Sequence, residues 1–279
     1  MHGAVTTDSF GLTDVGRERR ANEDQFLVAG LNKGMLVQQT SLPMDDQTQL
    51  MSGVQGKVLA VADGMGGHVA GDRASALAIR AITRYLLNTM PWFFRLDGKL
   101  EDDLREELAG ALERARDEVQ QDATRHGLKG MGTTLTMAYV LWPRLYVVHA
   151  GDSRCYLLRD GELRQLTTDH SMAQQLVDQG AMGQQEADDS QWTHVLYNAI
   201  VADGSSELSP EVYKARLRGG DTLLLCTDGL TKHVPEERIV ELLNGQAEQA
   251  AHRLIDAAND DGGSDNTTVV VARFGPTTG

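Results

Sequence analysis

The sequence predicts an α+β fold: two stacked antiparallel β-sheets flanked by helix pairs, forming one domain over 1–279. Three observations lead there. Long segments with apolar residues every three or four positions come in pairs. Between them lie short strand-like runs joined by tight turns. Two of those runs, Val58 to Ala62 and Thr222 to Cys226, are almost wholly apolar, as buried central strands are.

In chain order, Asp24 to Ala29 reads as a strand and Lys57 to Ala62 as a second. The polar stretch 32–56 between them has no strong period and reads as a loop or hairpin insertion. Ala70 to Leu87 is an amphipathic helix, with Ala74, Leu77, Ala78, Ala81, Ile82, Tyr85 and Leu86 on one face. Glu101 to Arg125 is another, its first turn acidic, in keeping with the helix dipole. Strands follow at Thr133 to Leu141, Arg144 to Ala150, Cys155 to Arg159 and Leu163 to Leu166, with hairpin turns at Trp142-Pro143 and Arg159-Asp160-Gly161-Glu162. Asp169 to Gly180 resembles a helix capped by Asp169 or Ser171. Met182 to Val201 is polar and irregular, so 170–200 is expected to form a mobile flap. Asp221 to Cys226 is a strand, Pro235 to Leu243 and Ala247 to Asn259 are helices, and Thr267 to Arg273 is the last strand. The tail 275–279 is expected to fray, leaving a core of about 13–273.

A chain of 279 residues with 41% hydrophobic and 24% charged residues has the make-up of a globular protein with a substantial core. No apolar run approaches the roughly 18–20 residues of a membrane span. Met1 to Asp14 lacks a secretory pattern, and the expected location is the cytoplasm. A formal charge of −14 argues against nucleic-acid binding, which relies on Lys and Arg. Cys155 and Cys226 lie in apolar runs and read as buried free thiols, with no zinc or thiol-nucleophile motif around them.

Five segments place Asp beside Gly or Asn: Asn22-Glu23-Asp24, Asp63-Gly64, Gly151-Asp152-Ser153-Arg154, Asp228-Gly229 and Asp265-Asn266. Each alone reads as a turn. Together they differ, because two apolar strands lead directly into Asp63 and Asp228. Like charges gathered at strand ends are costly unless a cation lies between them. Carboxylates without Cys or His partners suit Mg²⁺ or Mn²⁺ rather than Zn²⁺.

These segments resemble, in order and rough spacing, the metal-dependent protein phosphatases of type 2C (PPM) in their bacterial form. The resemblance runs from Thr13 to Arg273. Its matching stretches are Thr13-Asp14-Val15-Gly16 with Arg19 and Asn22-Glu23-Asp24; Ala62 to His68 with Gly71 and Ala74-Ser75; Met131-Gly132-Thr133-Thr134; Ala150 to Arg154 with Tyr156; Leu166 to His170; Gly220-Asp221 through Asp228-Gly229-Leu230-Thr231; and Asp265-Asn266-Thr267-Thr268. It implies hydrolysis of phosphoserine or phosphothreonine on proteins, in opposition to a serine/threonine kinase. It also implies a sandwich with its metals at one end. By that resemblance Asp63 bridges two ions, the Gly64 carbonyl binds one, and Asp228 and Asp265 bind the other. Asp152, with Asp228, would hold a third. Glu23 and Asp24 would hold metal-bound waters, and Arg19, ahead of its neighbour Arg20, would grip the phosphate.

The chemistry agrees with this assignment. Two dications roughly 3.5–4 Å apart lower the pKa of a shared water, which can then attack phosphorus in line. Arg19 would offer a planar fork to two phosphate oxygens. Met65 stands where some members carry a general-acid His. His68, three residues on, is then either a proton donor or a loop-structuring residue. His170 and His194 could face the site, although solvated or capping roles also fit them. Asn266, beside Asp265, completes the candidate set. Tyr197-Asn198 departs from the Thr-Arg of many members. Two other readings use the same residues: a binding module without catalysis, and a hydrolase of small phosphate esters.

Overall fold

The computed structural model describes residues 6–41, 49–88, 98–188, 190–203 and 208–275. Its strands are β1 (Thr7–Asp14), β2 (Gln25–Leu36), β3 (Gln49–Ala62), β4 (Gly64–Met65), β5 (Gly132–Thr133), β6 (Leu135–Leu141), β7 (Arg144–Ala150), β8 (Arg154–Arg159), β9 (Glu162–Gln165), β10 (Ile200–Val201), β11 (Glu211–Arg216), β12 (Thr222–Cys226) and β13 (Thr267–Phe274). They form two five-stranded sheets, ordered β1-β13-β12-β8-β9 and β11-β7-β6-β3-β2, and a small sheet β10-β5-β4. Every pairing among the described strands is antiparallel. The helices are α1 (His68–Asn88), α2 (Gly98–His126), α3 (Met172–Asp178), α4 (Gln184–Asp188), α5 (Asp228–Thr231), α6 (Glu236–Leu242) and α7 (Ala247–Asp260), with a 3₁₀ turn at Gln191–His194.

The two-residue period of a strand decides which layer each side chain enters. Leu59 and Val61 of β3, Leu223 and Leu225 of β12, and Val270 of β13 face the space between the sheets. Their neighbours Val58 and Ala60 face outward and are covered by Ala74 and Ile82 of α1 and Leu104, Leu108 and Leu112 of α2. On the other side Leu224, Val269 and Val271 pack under Ile239 of α6 and Leu254 of α7. The layers therefore run helix, sheet, sheet, helix, as the sequence predicts. Each large apolar side chain taken from water in these layers contributes about 1.5–3 kcal/mol. Cys155 lies between the sheets and Cys226 under the outer helices, so both are buried free thiols on opposite faces of one sheet.

Several local expectations change. The 32–56 insertion takes its hairpin form: β2 runs on to Leu36 and β3 starts at Gln49, with a bulge between Asn32 and Gly34. Four strands were not anticipated: the two-residue β4 and β10, too short to show an alternation, and the longer β1 and β11. The latter two are sheet edges and only partly buried, so neither carries an apolar run. In the 170–200 segment the Ser171 side chain caps α3, accepting from the Gln174 N–H. The stretch expected to be irregular contains α4 and the 3₁₀ turn, whose first N–H groups are met by Ser190. These elements are too short for a polar sequence to reveal a period. Of the tail, Gly275 N–H still donates to Thr6 O at 2.8 Å, and 276–279 lie outside the described residues.

Candidate metal centre

β3 and β12 sit in different sheets, and each ends at one edge of the sandwich just before an aspartate. After β3, the Asp63 backbone is fixed on both sides. Its N–H donates to Thr134 Oγ1 at 3.0 Å, and its carbonyl accepts from Thr134 N–H at 2.9 Å and Thr133 Oγ1 at 2.8 Å. After β12, Thr227 Oγ1 donates to Asp24 Oδ2 at 2.8 Å and accepts from Thr268 N–H at 3.0 Å. Asp228 follows at the start of α5. These hydroxyls tie the Asp24 loop, the β12 end and the β13 start together.

Asn266 does the same for Glu23. Its amide donates to Val15 O at 2.9 Å and Ala21 O at 3.0 Å, while its Oδ1 accepts from Glu23 N–H at 2.9 Å. Asn266 is therefore a clamp on the loop that carries Glu23 and Asp24. Gly64 lies where nothing larger fits. A Cβ there would collide with the Gly71 carbonyl and stand 2.6 Å from Glu23 O. We expect Gly64→Ala to displace the Asp63 turn, lowering the thermal midpoint by several degrees and weakening Mn²⁺ binding together. A variant with an unchanged melt and unchanged titration would show that the turn relaxes freely.

The electrostatics are those of gathered acids. Asp63 is pushed well above the usual carboxylate range, first by burial and then by Asp24, Asp228, Asp152 and Asp265. Burial, with Asp228 and Asp169, does the same to Asp152. Burial raises Asp24 to about 7 against the help of Thr268 and Thr227, with Asp228 and Asp265 adding repulsion. Asp265 is the exception. Burial acts to raise it, but Lys232 and Arg19 hold it below its ordinary value. Arg19 embraces it with Nε to Oδ1 at 3.0 Å and Nη2 to Oδ2 at 3.0 Å. The Lys232 ammonium lies 2.6 Å from Asp228 Oδ2 and 2.9 Å from Asp265 Oδ2.

Asp63, Asp152, Asp228, Asp265 and Asp24 thus lie within one another's fields, and Arg19 reaches the same place. The cluster is not a closed cage: among the described residues no three His, Cys, Asp or Glu side chains surround a common ion position. Its acids fit divalent cations nonetheless. Asp24 Oδ1 and Asp228 Oδ1 are buried without a hydrogen-bond partner, and a hard cation satisfies such oxygens. Lys232 escaped the sequence reading; its one signal was its place four residues after Asp228.

The histidines fare differently. His68 opens α1, and its side chain lies outside the described residues. His194 is exposed on the 3₁₀ turn. His170 is neither solvated nor a cap. It is fully buried against His149, and its Nδ1 lies 3.2 Å from the Gly151 N–H and 3.0 Å from Asn198 Nδ2. The reason is the turn before α3, which folds its ring under the Gly151-Asp152 loop, where His170 N–H also donates to Gly151 O at 2.8 Å.

Comparison with known proteins bears on this geometry. A family profile described as Protein phosphatase 2C matches residues 34–260. The serine/threonine protein phosphatase PstP of Mycobacterium tuberculosis is 40% identical over 218 residues, covering 77% of this chain; the chain spans 40% of the length of that relative. The serine/threonine phosphatase stp of Listeria monocytogenes is 33% identical over 266 residues, covering 93% of this chain and 92% of its own. A crystal structure of the catalytic domain of PstP in complex with two manganese ions superposes with a TM-score of 0.76 at 34% identity, covering 98% of this chain and 100% of that one.

Proposed function

This chain belongs to the protein phosphatase 2C family, and on that premise we propose that it hydrolyses phosphoserine and phosphothreonine on proteins with Mn²⁺ or Mg²⁺ held by its carboxylates. The observation that carries the reading is the crowding of the partly buried Asp63 with Asp24, Asp228, Asp152 and Asp265. Arg19 and Lys232 offset Asp265 and Asp228, but five acids at one edge of the sandwich outnumber those two cations, and ionising them all is costly without divalent cations. Asp63 would bridge two ions, with the Gly64 carbonyl on one and Asp228 and Asp265 on the other. Asp152 and Asp228 would take a third. Glu23 and Asp24 would hold metal-bound waters.

Ions bound there supply Lewis acidity and an activated water for in-line attack on phosphorus. The chain's own residues do the rest. The Thr133 and Thr134 bonds keep the Asp63 carboxylate in place, and the Asn266 clamp holds the water-orienting loop. Arg19 is nearly half exposed, so its guanidinium can turn from Asp265 to two oxygens of an incoming phosphate. The substrate is a phosphoprotein, and a serine/threonine kinase is the natural source of it. The buried free thiols favour a reducing compartment, the cytoplasm. No described helix is long and apolar enough to cross a membrane.

The deciding measurement is phosphate release from a phosphothreonine peptide with Mn²⁺ and with a chelator. Turnover is expected only with the metal, and catalytic efficiency should be higher on a phosphoprotein than on phosphorylated metabolites. No turnover across Mn²⁺, Mg²⁺ and several peptides rejects the assignment. Arg19→Ala should raise KM about tenfold, the worth of a lost charge-assisted contact. Unchanged KM and kcat would remove Arg19 from the phosphate site.

A further inference from the structure

Lys232 follows α5 immediately, one helical turn after Asp228, and its backbone N–H donates to Asp228 O at 2.9 Å. That turn aims its side chain back along the helix at the two carboxylates. The ammonium lies 2.6 Å from Asp228 Oδ2 and 2.9 Å from Asp265 Oδ2, so a single positive charge joins residues from the ends of two different strands. The side chain is 27% exposed. Asp265 has both oxygens engaged by cations of the chain, because Arg19 takes Oδ1 and shares Oδ2. Asp228 keeps one oxygen, Oδ1, buried and unmatched.

We propose that Lys232 is the protein's own resident cation at the Asp228–Asp265 pair, a positioning residue that a divalent ion must displace in order to bind. The inference rests on the reading of those two aspartates as ion ligands. An ammonium at hydrogen-bond distance and a dication cannot share the same carboxylate oxygens, since like charges at that separation repel strongly. In the metal-free protein Lys232 keeps two acids from facing each other unbalanced. When the ion arrives, the ammonium gives up both contacts and turns toward solvent. Metal affinity then becomes the difference between the ion's attraction to the pair and the attraction that Lys232 surrenders. An ordinary lysine ammonium is charged at every pH where the enzyme would work.

The test uses the full chain as wild type, Lys232→Met and Lys232→Arg. Mn²⁺ titration by calorimetry should give a dissociation constant about tenfold lower for Lys232→Met, in line with the loss of one charge-assisted competitor. The same variant should melt at a lower temperature than wild type in chelator, since two acids lose their counter-charge. Lys232→Arg, which keeps the charge, should stay close to wild type in both measurements. Reductive methylation of wild type, followed by peptide mass spectrometry, should modify Lys232 several-fold faster with Mn²⁺ than without it. Unchanged or weaker Mn²⁺ binding by Lys232→Met overturns the proposal, as does a Lys232 methylation rate indifferent to Mn²⁺. If Lys232→Met does not fold, methylation of wild type decides alone. If wild type itself binds no Mn²⁺, the metal-site reading falls with the inference. If wild type binds and Lys232→Met binds equally, only the inference falls.

Discussion

Asp63→Asn is expected to lose more than about a hundredfold in turnover on a phosphothreonine peptide while keeping the fold. Loss of a partner one layer outside a metal site already costs about 10–100-fold, and Asp63 is the acid assigned to both ions. The amide keeps the shape of the carboxylate, so the backbone bonds from Thr133 and Thr134 survive. What disappears is a charge that burial and four neighbouring acids oppose. In chelator the variant should therefore melt no lower than wild type, although it should bind Mn²⁺ far more weakly. This opposite movement of metal-free stability and metal affinity marks a residue kept for function. A variant that hydrolyses the peptide at the parental rate would remove Asp63 from the centre and with it the bridging role.

The second large effect is the pH dependence of Mn²⁺ binding. Asp24 is raised to about 7, and Asp63 and Asp152 stand well above the ordinary 3.8. A carboxyl raised in the folded state contributes stability below its unfolded pKa and loses it as pH rises through the folded value. For Asp24 that window runs from 3.8 to about 7. Mn²⁺ needs the ionised forms, so it competes with the same protons. Affinity should rise more than about tenfold from pH 6 to pH 8, the change expected when at least one proton is released over part of that range. Calorimetry in two buffers of different ionisation enthalpy counts the protons directly. The gain in melting temperature on adding Mn²⁺ should likewise grow with pH. An affinity flat between pH 6 and 8 would mean that these acids are already ionised without metal, against the burial and repulsion described above.

Much of this arrangement was legible in the residues, for identifiable reasons. Val58 to Ala62 and Thr222 to Cys226 are apolar because they are covered on both faces. A carboxylate directly after such a run is conspicuous, so Asp63 and Asp228 stood out. Asn266 was legible only as a neighbour of Asp265. Its clamp on Val15, Ala21 and Glu23 joins segments more than 240 positions apart, which no local pattern encodes. β1 and β11 were invisible because edge strands with one wet face carry mixed polarity. The 3₁₀ turn and α4 are shorter than the period needed to recognise them. Lys232 was overlooked for a different reason: a lysine near an acid reads as a surface pair until Asp265 is brought to it by the fold.

The Asn266 clamp has a consequence for how ions would be captured. Three hydrogen bonds from one side chain fix the loop bearing Glu23 and Asp24 without any ion taking part. The receptor is thus largely preorganised during folding, and little chain entropy remains to be lost at the moment of capture. Mn²⁺ association should accordingly involve small rearrangements of side chains and water rather than ordering of backbone. Amide hydrogen exchange at residues 21–24 would then be slow already in chelator and nearly indifferent to the ion.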